Sequence, residues 1–245
     1  MSDIPAPVME NPDIRPGDLP GELRVFDHGF VRLDNAMADD LSVVNGARVS
    51  FAVSKSEMDA RDKGLIRFLM RQRHGSPFEH NSFRFHIRTP IFVAREWFRH
   101  RIGSFNEESA RYHQLEPDFY VPSVAAVRTQ VGKPGSYSFE PAEEAIAHET
   151  IAVMRRVYDE LYAEYRDLIS KGVAKELARA VLPFGIYTQF YWTLNARSLM
   201  NFLSLRNSVD AQYEIRTYAE AVEQLFAQKM PVTHECFVEF GRMVP

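Results

Sequence analysis

The sequence predicts a single domain that mixes β-strands with amphipathic helices and is not of the Rossmann type. Three observations carry this. Ser82-Phe83-Arg84-Phe85-His86-Ile87-Arg88 alternates apolar and polar residues at the period of a strand, and Tyr187 to Leu194 is rich in aromatics and threonine. Apolar residues recur at helical spacing in several longer segments. Neither a Walker phosphate loop nor a Rossmann glycine fingerprint is present.

Residues 1 to about 22 contain Pro5, Pro7, Pro12, Pro16 and Pro20 with few large apolar groups, and read as a flexible arm or an extended segment lying on a neighbour. The globular part, 23–245, shows no internal repeat and no internal linker. Val25, Phe26, Phe30 and Val31 flank the turn-prone Asp27-His28-Gly29, which predicts a short strand pair. Ser56-Glu57-Met58-Asp59 can cap a helix carrying Leu65, Ile66, Leu69 and Met70, with a stop near His74-Gly75. In the alternating segment Phe83, Phe85 and Ile87 should face a core. Thr89-Pro90 then predicts a helix through Trp97 and Phe98, with threonine as cap and proline at the first helical position. The longest helix spans Pro141 to Lys171, with Glu140, Glu143 and Glu144 at its positive end and Gly172 at its stop. Its expected buried stripe is Ile146, Val153, Val157, Leu161 and Leu168. A shorter helix follows near Lys175 to Val181, ended by Pro183. Asn195-Ala196-Arg197-Ser198 leads into another, and Tyr213 to Gln228 forms one more before Pro231.

The hydrophobic share of 45% and charged share of 25% suit a globular protein, and the formal net charge is −4. That balance argues against general nucleic-acid binding, which needs a broad basic surface. No run of apolar residues is long enough for a membrane span, and no secretory signal is read at the N-terminus. The single Cys236 excludes an intramolecular disulfide framework and suits a reducing cytoplasm.

Against that acidic background, Arg99-His100-Arg101-Ile102-Gly103-Ser104-Phe105-Asn106-Glu107-Glu108-Ser109-Ala110-Arg111-Tyr112 concentrates permanently charged guanidinium groups with carboxylates, serines and aromatics. Such a cluster holds anions rather than shuttling protons. Glu96 precedes Arg99 by three residues and His100 by four, on the same helix side as both. A second polar set, Asn195, Arg197, Asn201 and Arg206, is embedded among Leu199, Met200, Phe202, Leu203 and Leu205. Arg197 and Asn201 share a helix face, whereas Arg206 lies roughly 140° round the axis from Asn201. The structural alternative is that these arginines cap carbonyls at helix ends. His74, His80, His86, His100 and His113 have no metal spacing, so no metal site is expected. Cys236, in Thr233-His234-Glu235-Cys236-Phe237, has no arginine cluster around it in sequence, and no Gly-x-Ser-x-Gly elbow occurs. Nucleophilic catalysis is therefore poorly supported. A module that stacks bases on the Arg-aromatic run is the competing class.

Arg99-His100-Arg101 with Ser109 eight residues after Arg101, and Glu107, Arg111 and Tyr112, resembles the signature of the flavin-dependent thymidylate synthases. Ala47-Arg48-Val49-Ser50-Phe51, His74 through His80, Pro90-Ile91-Phe92-Val93-Ala94-Arg95 and Asn195 through Phe202 resemble the family in the same order. The resemblance implies an α+β fold, a mixed β-sheet flanked by long helices. It implies reductive methylation of dUMP to dTMP, with methylenetetrahydrofolate giving the carbon, FAD carrying the hydride and NADPH reducing the flavin. No cysteine nucleophile is needed, and the family works as a homotetramer with sites where subunits meet.

By matching motif, Glu96, Arg99, Glu107, Glu108, Ser109, Ala110, Arg111, Arg179 and Arg206 would contact dUMP. Arg99 and Arg111 would suit its phosphate, and Arg206 would lie against the uracil ring as the catalytic residue. Ser76, Arg99, His100, Arg101, Glu107, Asn195, Arg197 and Asn201 match flavin-contacting positions, and His74 a histidine near the flavin or folate. Asp210 departs from the family, standing where a histidine is frequent.

Overall fold

The computed structural model describes residues 11–133 and 136–245. Its strands and helices are β1 (Ile14–Pro16), β2 (Glu22–Val25), β3 (Gly29–Met37), α1 (Asp40–Arg48), α2 (Ala60–Arg71), β4 (Ser82–Pro90), α3 (Ile91–Trp97), β5 (Ser104–Glu107), β6 (Arg128–Lys133), β7 (Ser136–Pro141), α4 (Glu144–Ser170), α5 (Lys175–Ala178), β8 (Tyr187–Leu194), α6 (Ala196–Arg206), α7 (Tyr213–Lys229) and α8 (Pro231–Glu239). A six-stranded sheet has the order β1-β2-β3-β4-β8-β5, and β6 and β7 form a separate hairpin. The fold is α+β, as the sequence predicts. Contacts divide the chain into two compact units. The first runs up to Thr89 and adds Val93–Glu107 and Gln189–Pro245; the second comprises Pro90–Phe92 and Glu108–Thr188.

In the first unit the expected strand pair forms as β2 and β3, with Val25 paired to Gly29. Phe83, Phe85 and Ile87 of β4 are fully buried, as their alternation requires. The core is aromatic. Trp97 lies 4.8 Å from Phe202 in a stacked arrangement and 5.4 Å from Trp192 edge-on. Phe190 and Tyr218 complete its surroundings at 5.6 and 6.0 Å. Helix α2 starts with a capping box between Asp59 and Asp62.

The second unit is organised by α4. Its C-terminus is a Schellman turn: Gly172 takes φ +84°, its N–H donates to Ile169 O, and Val173 N–H donates to Leu168 O. Phe119 stacks on Tyr158 at 4.8 Å, Tyr162 Oη donates to Leu115 O, and Leu115 N–H donates to Tyr165 Oη. Ala110, Leu115, Phe119 and Ile186 form the buried cluster beneath them.

Four expectations are corrected. The proline-rich arm is not flexible throughout 1–22: Ile14–Pro16 pairs antiparallel with β2, Asn11 Nδ2 donates to Glu220 and Tyr213 Oη donates to Asp13. Residues 1–10 lie outside the described part. Helix α2 stops earlier than expected, at Arg71, and the left-handed residue is Arg73 (φ +56°) rather than Gly75. Thr89 and Pro90 end β4 instead of starting α3, because the first α3 amides, Ile91 and Phe92, donate to Ile186 O and Phe184 O and need no side-chain cap. Helix α4 is rotated from the expected stripe: Ile146 and Val153 are 46% and 45% exposed, while Ala147, Ile151 and Tyr165 are buried. The large tyrosines, not the aliphatics, set which side of α4 is covered.

Candidate active site

Helix α6 is the main scaffold of the site in the first unit. Asn195 caps it, its Oδ1 accepting from Ser198 N–H at 2.9 Å, and Asn81 Oδ1 accepts the Ala196 N–H at 2.7 Å. Leu199, Met200, Phe202 and Leu203 are buried, which leaves Arg197 and Asn201 exposed on one face. Arg206, on the last turn, points elsewhere. Its Nε donates to His100 Nε2 at 2.9 Å, its Nη2 donates to Glu96 O at 3.1 Å, and its Nη1 lies 3.0 Å from Glu96 Oε2. Glu96 lies in the last turn of α3, so by donating to its carbonyl Arg206 serves as a carbonyl cap as well as an ion-pair partner. The chemical and structural readings of this arginine are therefore compatible.

The His100 ring packs edge-on against Phe202 at 5.0 Å. Burial, then the adjacent Arg206 charge, pushes its pKa down to about 4, against a smaller opposing effect of Glu96. His100 is thus neutral at working pH and can accept from Arg206; protonation would replace that acceptor with a second cation. The ordinary value is 6.5, so between pH 6.5 and 4 the unfolded chain binds a proton that the folded one does not. Stability contributed by this group is expected to decline as pH falls through that window. Urea midpoints measured at intervals from pH 7 to 4 should show a shallower decline in His100→Gln than in the parent; parallel curves would remove His100 as the cause.

The expected flavin-contacting residues fall into two places within this unit. Arg99, His100 and Arg101 follow α3, with Arg99 and Arg101 exposed, and Glu107 ends β5. Ser76 opens a short 3₁₀ turn, Ser76–Glu79, at a cleft of about 340 Å³. The cleft is lined by Ala47, Ser50, Leu69, His74, Ser76 and Pro77, so two motif segments distant in sequence meet there. Arg197 reaches this turn: its Nη1 lies 2.6 Å from Glu79 Oε1, and its Nε donates to Pro245 O at 2.8 Å. A Cβ on Gly75 would lie 2.5 Å from Arg197 Nε, so glycine lets the guanidinium pass. Asn201 stays exposed one helical turn from Arg197.

In the second unit, the segment after β5 carries Glu108, Ser109, Ala110 and Arg111. Ala110 is buried in the cluster with Leu115 and Phe119, which anchors the backbone of its neighbours. Ser109 O accepts the Tyr112 N–H at 3.0 Å, and Glu108 Oε2 lies 3.4 Å from His113 Nε2. Arg111 and Arg179 converge on one residue: Arg111 Nε is 3.4 Å from Glu176 Oε2, and Arg179 Nε donates to Glu176 O at 3.3 Å. Lys175 Nζ adds a further cation, donating to Tyr112 O. Arg111 is 54% exposed in its side chain and Glu176 60%, so this pair is weak in water and open to exchange for an anionic ligand.

Glu79 and Glu176 are functional candidates that sequence spacing does not mark, although each holds an arginine of the predicted site. Glu79 lay inside the His74–His80 motif, but its pairing with Arg197 spans 118 residues and has no local signal. Cys236 is buried, and burial with the nearby Glu235 and Glu239 charges pushes its thiol up to about 11. It stays protonated, a poor nucleophile.

Residues 32–232 match the family model described as "Thymidylate synthase complementing protein". The chain is 46% identical over 220 residues to a flavin-dependent thymidylate synthase of Thermosipho melanesiensis, covering 90% of this chain and 95% of that protein. It is 46% identical over 228 residues to the protein of that name from Streptomyces avermitilis, covering 88% and 93%. Among solved structures, a UMP/dUMP methylase PolB from Streptomyces cacaoi bound with 5-Br dUMP superposes with a TM-score of 0.84 at 44% identity, covering 89% of this chain and 98% of that one. The fold, the order of the motifs and these matches agree, and the chain belongs to the flavin-dependent thymidylate synthase family.

Proposed function

We propose that this protein catalyses the reductive methylation of dUMP to dTMP, with methylenetetrahydrofolate as carbon donor and NADPH as reductant of FAD. The observation that carries the reading is the fixed cation at Arg206, held by Glu96 and a neutral His100, in a chain whose one thiol is buried and protonated. Family membership supplies the reaction class.

The residues present fit a flavin dinucleotide by the chemistry of the donor set. Exposed Arg99 and Arg101, the Arg197–Glu79 pair and the His74–Ser76 cleft offer cations and hydrogen-bond donors for phosphate and ring polar atoms. The flavin, when bound, supplies the hydride chemistry. Ser76, Arg99, His100, Arg101, Glu107, Asn195, Arg197 and Asn201 hold it in this reading. Glu96, Arg99, Glu107, Glu108, Ser109, Ala110, Arg111, Arg179 and Arg206 hold dUMP. Arg206 stabilises negative charge at N3 and O4 of uracil as the ring becomes nucleophilic, and Arg111 and Arg179 bind anionic oxygens. Catalysis is assigned to residues 23–245 as one catalytic domain, acting in the cytoplasm as a homotetramer. Exposed Val49, Phe51, Ile102 and Tyr112 support assembly, since they are 70%, 81%, 76% and 76% accessible in the single chain.

The PolB neighbour is named for both UMP and dUMP, which favours testing the two nucleotides side by side. Purified protein loaded with FAD and supplied with NADPH and methylenetetrahydrofolate should convert dUMP to dTMP, as read by chromatography of the nucleotides. A preference for UMP would reassign the substrate. A colourless protein that retains no added FAD and methylates neither nucleotide would overturn the proposal.

A further inference from the structure

Directly after Arg206, a buried carboxylate that takes no part in the reaction described above gathers three elements. Glu223 of α7 is 7% exposed. Its Oε2 accepts from Asn207 Nδ2 at 2.5 Å and from Arg242 Nη1 at 2.8 Å, and its Oε1 lies 2.8 Å from His234 Nε2. Asn207 is the C-cap of α6, its own N–H donating to Leu203 O at 3.0 Å. His234 comes from α8 and packs edge-on against Phe226 at 5.9 Å, while Arg242 comes from the segment after α8. A carboxylate this deep is sustained only by such pairing.

We propose that Glu223 is a positioning residue for Arg206: it pins Asn207, and through it the last turn of α6, to α7, α8 and the C-terminal segment. Arg206 must span Glu96 O, Glu96 Oε2 and His100 Nε2 at once, all between 2.9 and 3.1 Å. Arg206 is the last residue of α6, and Asn207, the C-cap that follows it, ties the end of that turn to Leu203 O and to Glu223. If the C-cap is released, the last turn of α6 can fray and the three-point hold on the guanidinium loosens. Sequence spacing gives no hint of this, since Glu223 lies 16 residues from Asn207.

The inference rests on the reading that Arg206 acts on the substrate, and the test separates the two. Asn207→Ala and Glu223→Gln are compared with Arg206→Ala and with both double variants, as flavin-loaded enzyme, for single-turnover dTMP formation, KM for the folate donor and thermal melting. Each of the first two should slow turnover about tenfold with KM unchanged, since misplacement by 1 Å can cost on the order of a hundredfold. Neither should slow Arg206→Ala further, because the effect passes through that side chain. Asn207→Ala leaves the carboxylate bonded to His234 and Arg242, so it decides the matter if Glu223→Gln does not fold. Unchanged turnover in Asn207→Ala, or losses that multiply in the Arg206→Ala background, overturns the proposal. Full turnover in Arg206→Ala itself overturns instead the reading on which it stands.

Discussion

Arg206→Ala is expected to lower the rate of dTMP formation by about a hundredfold or more, the scale on which a preorganised charge aimed at a developing anion acts. Oxidation of reduced flavin without dUMP should survive, because the flavin contacts are assigned to other residues. Arg206→Lys should not restore the rate. An ammonium group cannot bond His100, the Glu96 carbonyl and the Glu96 carboxylate in the planar arrangement the guanidinium adopts. Stopped-flow traces of flavin oxidation with and without dUMP separate these effects. A variant with parental dTMP formation would remove Arg206 from the chemistry.

The largest stability effect is expected at Trp97. It is fully buried among Phe190, Trp192, Phe202 and Tyr218, with ring centroids between 4.8 and 6.0 Å away. Trp97→Ala opens a large cavity in this aromatic core and should cost about 3–5 kcal/mol. The consequence reaches the site, because Trp97 O accepts the His100 N–H and Phe202 supports the His100 ring. Denaturant titration should therefore show a lowered midpoint, and any folded fraction should bind dUMP less well. A midpoint within experimental error of the parent would mean that the core does not depend on this ring.

What the sequence disclosed and what it withheld divide along physical lines. The alternation from Ser82 to Arg88 specified a strand and its buried face, because period two leaves no other way to bury Phe83, Phe85 and Ile87 together. Asn195 could be placed ahead of a helix, and it caps α6. The α4 stripe is not legible from aliphatic spacing, because that spacing competes with three tyrosines, Tyr158, Tyr162 and Tyr165, whose greater area decides the rotation. The order of residues 11–16 is not legible either, because proline content says nothing about Tyr213 and Glu220, which hold Asp13 and Asn11 from two hundred residues away. The arginines stand out in the sequence as a cluster, but their partners within the fold do not. Glu176 and Glu79 meet Arg111 and Arg197 only through tertiary folding.

The most direct measurement is mass spectrometry of the nucleotide product formed from dUMP, NADPH and methylenetetrahydrofolate labelled with ¹³C at the methylene carbon, with the flavin-loaded parent and Cys236→Ala compared. The expected product is dTMP carrying one labelled carbon, formed at similar rates by both proteins and not formed when flavin is withheld. Absence of label from any thymidylate, or loss of the reaction in Cys236→Ala while the protein remains folded, would contradict methylation by an arginine-held ring without a thiol.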